Sequence, residues 1–203
     1  MISIVRAICS ILFISLISCT SQESRKETTA VLTPSLAESG IEILTQSKSD
    51  TLKGSLKAIA TGIVGTTHVH IDYHSPAVRD RIVWGGLVPY DKVWVAGAHM
   101  ATSIQFDKEI MISNMPIPAG KYALFAIPGK IDWTLIVNKN WEQHLTDNYD
   151  PKEDLVRINV KAEWQDRNQE RLRYTIESTA AAQGHINLEW EKIKVSIPFM
   201  TAK

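Results

Sequence analysis

The sequence predicts an all-β fold, an antiparallel β-sandwich of roughly 8–10 strands with no core helix. Three observations carry that prediction. Apolar and polar residues alternate with period two over much of the chain from Ser55 onward. Turn residues punctuate these runs at intervals of about 8–12 residues. No stretch holds the helical apolar period long enough for a core helix.

The chain opens differently. Met1 to Arg6 brings one positive charge, and Ala7 to Ile17 is apolar around Ile11, Leu12, Phe13, Ile14 and Leu16. That run is too short for a bilayer span, which takes about 20 apolar residues, but it has the length and flanks of a signal peptide. Leu16-Ile17-Ser18-Cys19 then fits the bacterial lipobox: apolar, tolerant, small, Cys. A small residue at Ser18 suits the peptidase, and the thiol of Cys19 takes the diacylglycerol. The expectation is a lipoprotein signal peptide over residues 1–18 and a lipidated N-terminus at Cys19. This implies a lipid-anchored protein of the bacterial cell envelope, membrane-bound through that lipid, at the periplasmic or surface face of the outer membrane. The alternative is an ordinary cleaved signal with an incidental cysteine.

Residues 19–54 are rich in Ser, Thr, Glu, Lys and Gln, with one apolar stretch, Ile41-Glu42-Ile43-Leu44. They read as a flexible tether with a reach of roughly 30–35 Å. Residues 55–203 are then the β-sandwich domain. In Thr66–His74, Val69, Ile71 and Tyr73 face one way and His68, His70, Asp72 and His74 the other. Lys121–Ile127 and Trp133–Val137 are nearly apolar on both faces and read as central strands, joined through the turn Pro128–Asp132. Pro118-Ala119-Gly120 reads as a turn feeding the first of them. Trp141–Asp154 is irregular, with a helical turn expected around Glu142–Leu145. From Leu155 to Trp164 the inward set is Val156, Ile158, Val160, Ala162 and Trp164. Leu172, Tyr174 and Ile176 follow, set against outward Arg171, Arg173 and Thr175; Ile186, Leu188 and Trp190 come next, then Ile193, Val195, Ile197 and Phe199.

Composition removes several function classes. Lys plus Arg equals Asp plus Glu at 22 each, so no basic excess points to nucleic acid. Both cysteines, Cys9 and Cys19, lie in the leader region, which excludes a thiolate nucleophile, a disulfide and a Cys-ligated zinc site in the domain.

Several long phrases line up with one family. They are Tyr73–Arg79 (YHSPAVR), Ile82–Tyr90 (IVWGGLVPY), Val93–Thr102 (VWVAGAHMAT), Pro118–Gly129 (PAGKYALFAIPG), Trp133–Asn138 (WTLIVN) and Trp190–Pro198 (WEKIKVSIP). Together they resemble the bacterial family described as domain of unknown function 2911, over about Gly54 to Phe199. The resemblance implies a β-rich extracytoplasmic domain and brings no reaction, substrate or catalytic residues.

The polar face of the Thr66–His74 strand holds the candidate chemistry. Residues i and i+2 on a strand lie about 6.5–7 Å apart, so two imidazoles there can converge on a metal at about 2.0–2.1 Å. His99 follows Gly97-Ala98, where the backbone can turn a side chain toward a neighbouring strand. Hence one reading is a divalent transition-metal site of His70, His74 and His99, with Asp72 as ligand or support. The other is a solvated outer face. Arg79 and Arg81 suit a carboxylate, phosphate or sugar acid, or else bond loop carbonyls. Trp84 and Trp94, with Tyr90, suit a sugar-stacking platform or core packing. Thr102 and Ser103 lie near His99 without an identifiable triad partner. The acidic loop of Asp147, Asp150, Glu153 and Asp154 matches no calcium-loop spacing.

Three functional readings follow. The first is a binding domain for a small molecule or glycan, at a cleft between the His74–Arg81 turn and the Gly97–Thr102 segment. The second is a His-ligated metal-dependent hydrolase or lyase acting on envelope or imported glycans. The third is a structural or assembly module of an envelope complex.

Overall fold

The computed structural model describes residues 40–43 and 52–202. The chain divides into Met1–Pro34 and Ser35–Lys203, and every described residue belongs to the second unit. The expected signal peptide, Cys19 and most of the expected tether therefore lie outside the described residues.

Among the described residues, eleven strands form two antiparallel sheets. The strands are β1 (Gly40–Ile43), β2 (Leu56–Val64), β3 (Thr67–Ser75), β4 (Thr102–Phe106), β5 (Ile110–Ile112), β6 (Met115–Ile117), β7 (Gly120–Ile127), β8 (Asp132–Asn138), β9 (Asp154–Lys161), β10 (Glu163–Ala180) and β11 (Gln183–Thr201). One sheet has the order β1-β2-β3-β4-β7-β8-β9 and the other β10-β11-β5-β6. The all-β sandwich expected from the alternation is what the chain forms. β7 and β8 are paired on both sides, and Ala123, Leu124, Phe125, Ile136 and Val137 are buried across their two faces.

β11 is one run by backbone state but not one straight strand. Glu191 has φ 56°. The Ser196 hydroxyl donates to Asn187 Oδ1 at 2.7 Å, and the Thr201 N–H donates to the Ala182 carbonyl at 3.0 Å. Residues nine apart on a straight strand would be about 30 Å apart. β11 therefore doubles back at Glu191–Lys192, and its two halves lie side by side.

The two sheets pack on their inner faces. β2 presents Ala58, Ala60, Gly62 and Val64 inward. A Cβ at Gly62 would stand 2.6 Å from the Ile176 Cβ, so the small residue admits β10. Trp84, Trp94, Trp133 and Trp190 interlock through ring contacts of 4.7–6.4 Å, and Tyr73 meets Tyr174 edge-on at 5.0 Å.

Four expectations are corrected. Gly40–Ile43, placed in the tether by composition, pairs with Ala58–Thr61 and makes the edge strand β1. Trp164, expected inward, is 66% exposed. Alternation carries a face only along one continuous ladder; here the chain passes from β9 to β10, and the register shifts between Trp164 and Gln169. The Trp164 ring instead lies under the Lys192 ammonium at 5.5 Å. Arg171, expected outward, is buried; its Nη1 donates to the carbonyls of Ser75 (2.7 Å) and Gly54 (3.3 Å). The reason is that β3 leaves its sheet at Ser75 and the next residues pair with β10, as in Leu172 N–H to Pro76 O at 2.9 Å. Finally, the short helical turn of the irregular stretch is a 3₁₀ turn at Pro151–Glu153, where Asp150 caps the Lys152 N–H, rather than at Glu142–Leu145.

Candidate functional site

The outer face of the seven-stranded sheet is not left bare. Two connections fold across it and bury a second small core of Val95, Ala101, Ala123, Phe125 and Ile136, with Trp141 and Tyr149 packed on its margin. Residues 93–101 are held by reciprocal bonds between Trp94 and Ala126 at 2.8 and 2.9 Å. Farther along, Ala96 (φ 50°) and His99 (φ 60°) take left-handed backbone that non-glycine residues avoid. What fixes Ala96 is its carbonyl, which accepts from both Tyr174 Oη (2.7 Å) and Thr102 Oγ1 (3.1 Å), while the His99 carbonyl accepts from the Leu145 N–H. Strain of this kind persists only where its surroundings over-determine it.

Residues 139–150 are held by buried amides. Asn138 Nδ2 donates to Asp150 O and to Asp154 Oδ1, while its Oδ1 accepts from the Asn140 N–H. Gln143 donates to Asn140 O and accepts from the Asn148 N–H. The Leu145 N–H reaches the His99 carbonyl at 2.7 Å, which ties the two connections together.

Between these connections and the sheet lies a cavity of about 360 Å³, lined by Lys57, Asp72, His74, Ser103, Lys121 and Trp141 among others. The antiparallel register sets this group: Asp72 lies opposite Ser103, and His74 opposite Lys57. Asp72 accepts from Lys121 Nζ at 3.0 Å and contacts His70 Nε2 at 3.1 Å, with the Ser103 hydroxyl at 3.5 Å. Partial burial pushes the Asp72 carboxyl up, but hydrogen bonds and charge from His70 and Lys121 outweigh it and hold the group below its ordinary value. Lys121 Nζ also stands 4.4 Å from the centre of the Trp141 ring, a cation–π contact. A cavity of about 450 Å³ near Ala180–Gln183 is lined by small and uncharged residues and carries no such chemistry.

His74 meets His99 edge-on, with ring centres 5.1 Å apart. Burial lowers the His74 pKa, and the neighbouring His99 and Lys57 lower it further, so the ring is neutral at pH 7. The sign of the pH effect follows. The unfolded chain protonates His74 near its ordinary pKa of about 6.5, above the folded value. The stabilising contribution is therefore present above about pH 6.5 and is lost as pH falls through the folded pKa. Urea midpoints of wild type and His74→Gln should converge as pH is lowered from about 7.5 to about 5. A constant difference across that window would contradict the lowered pKa.

The candidates from the sequence divide. His74 and His99 come together, and so do His70 and Asp72, but the four do not form one cluster. Among the described residues, no group of three or more His, Cys, Asp or Glu is placed to hold a metal ion. The His70 side chain turns along its own strand to Asp72, while His74 turns to His99. Arg81 spends its guanidinium on its own turn, donating to Val78 O (3.0 Å) and Ala77 O (2.6 Å). Arg79 is exposed at φ 50°, with its backbone N–H on Glu170 Oε1. Trp84 and Trp94 pack on the core. Thr102 is fully buried on Ala96 O, out of reach of a ligand. The cleft expected between the His74–Arg81 turn and the Gly97–Thr102 segment exists as a separate cavity of about 300 Å³, lined by Arg81, Trp94, His99 and Trp190 among others. His74 lines the first cavity and His99 the second.

Lys57, Lys121, Trp141 and Glu142 were not singled out from sequence. Lys121 carried a signal: it is the lone charge in a strand otherwise apolar on both faces.

No curated protein and no solved structure matches the chain. One family model does, over residues 55–199, which run from just before β2 into the second half of β11 and leave out the edge strand β1. With that match covering most of the sequence, the chain belongs to the family described as protein of unknown function (DUF2911).

Proposed function

We propose that this chain is a lipid-anchored envelope protein whose β-sandwich binds a small polar ligand in the cavity over the outer face of the seven-stranded sheet. One observation carries the binding half: Asp72, His74, Ser103 and Lys121 converge beside Trp141 in a cavity of about 360 Å³. Ligand sites combine an apolar wall with a few oriented polar groups and shifted pKa values, in cavities of roughly 300–1,000 Å³. Asp72 and His74 both have shifted pKa values. The buried amides beneath residues 139–150 pre-set the wall, which limits the ordering cost of binding.

A thermal-shift screen of sugars, amino acids and small carboxylates tests this reading, since a ligand of the native state alone raises the melting temperature. A compound that stabilises the wild type should lose its shift in Asp72→Asn and in Trp141→Ala. Shifts retained in both variants, or none with any compound, would overturn it.

The anchoring half rests on Leu16-Ile17-Ser18-Cys19 behind a short apolar run. Cys19→Ala should abolish labelling by radioactive palmitate and move the protein out of the membrane fraction. Unchanged labelling in that variant would remove the anchor from the proposal.

The His74–His99 contact favours a second reading, in which the two imidazoles hold a transition metal completed by solvent or substrate. That reading is carried by metal retained at stoichiometry in protein purified without a tag and lost in His74→Ala and His99→Ala.

A further inference from the structure

The charges around the cavity are unevenly spent. Asp72 is already matched by Lys121 and His70. His74, being neutral, carries no charge at pH 7. Two further ionic side chains line the same cavity, Lys57 from β2 and Glu142 from the connection above it. Both are exposed, and among the described residues neither makes an ion pair or a side-chain hydrogen bond. They do not pair with each other: Lys57 comes from β2 and Glu142 from the connection that crosses the sheet.

We propose, resting on the binding reading above, that the ligand of this cavity is a small zwitterion of the α-amino acid kind, free or as a short peptide. Its carboxylate faces Lys57 and its ammonium faces Glu142. A neutral sugar would leave both charges unmatched, and a simple anion would meet Lys57 but also the Glu142 carboxylate. A zwitterion satisfies both at once and keeps the site neutral overall. The cavity volume suits a single residue or a dipeptide, with Trp141 and Met100 as apolar wall.

The test is calorimetric titration of the full chain in detergent. The probes are the common L-amino acids, D-alanine and glycylglycine, and for each binder its C-terminal amide and its N-acetyl derivative. A binder should weaken about 10-fold on either blocking step, the scale of one charge-assisted hydrogen bond. Lys57→Met should bind acid and amide equally while still requiring the free amine. Glu142→Gln should show the converse. Blocked derivatives that bind the wild type as well as their parents would overturn the zwitterion. So would a silent amino-acid panel beside a neutral sugar or acetate that binds in an Asp72-dependent way, with the cavity reading left standing. If no probe of any class binds, the binding reading and this inference fall together.

Discussion

Trp133→Ala is expected to lower the stability of the fold by about 3–5 kcal/mol, the range for truncating a buried aromatic residue. Trp133 is 1% exposed on β8. Its ring lies 4.7 Å from Trp84 and 6.4 Å from Trp94, and both of these also contact Trp190. These ring contacts add to the buried area, because each aromatic pair contributes about 0.5–1.5 kcal/mol beyond it. The neighbours cannot collapse into the space, since Trp84 and Trp94 come from the segment between β3 and β4 and Trp190 from the other sheet. A large cavity therefore remains. Trp164→Ala is the control: at 66% exposure it should change stability by no more than about 0.5 kcal/mol. Urea unfolding followed by far-ultraviolet dichroism measures both. Similar losses in the two variants would mean that the cluster does not hold the sandwich together.

The contrast between these two tryptophans shows which parts of the structure were legible in the sequence. Period-two alternation reports a face, so Val69, Ile71 and Tyr73 were placed correctly within β3, and the doubly apolar β7 and β8 were placed as central strands. Alternation does not report where one ladder ends and another begins. Trp164 was therefore assigned to the wrong face, whereas the doubling of β11 at Glu191 does mark the sequence, as the change of parity between the inward sets ending at Trp190 and starting at Ile193. The site follows the same rule. Asp72 and His74 were legible because they share one strand, and His99 because glycine precedes it. Lys57 and Ser103 join them only through the pairing of β2 and β4 with β3. Trp141 and Glu142 arrive on a connection whose course depends on Asn138 and Gln143, two buried amides that resemble surface residues in a sequence.

Arg171→Ala should cost about 2–3 kcal/mol, the scale of a hydrogen bond to a charged group together with the stranding of a buried carbonyl. Arg171 is 7% exposed and donates to Ser75 O at 2.7 Å, where β3 passes from one sheet to the other. Its second carbonyl, Gly54 O, lies just ahead of β2. One guanidinium thus ties β10 to the end of β3 and to the start of β2, the strands that carry His74 and Lys57. A lysine at this position keeps the charge, but its compact ammonium is more strongly hydrated than a guanidinium and costs more to bury, so Arg171→Lys should recover only part of the loss. Two residues along, Arg173 pairs with Glu189 at 2.7 Å but is one-third exposed, and Arg173→Ala should cost no more than about 1 kcal/mol. The order of urea midpoints should be wild type, Arg173→Ala, Arg171→Lys, Arg171→Ala. If Arg171→Ala unfolds no earlier than Arg173→Ala, the joint between the sheets is held by the backbone bonds from Pro76 to Val78, and the arginine is incidental to it.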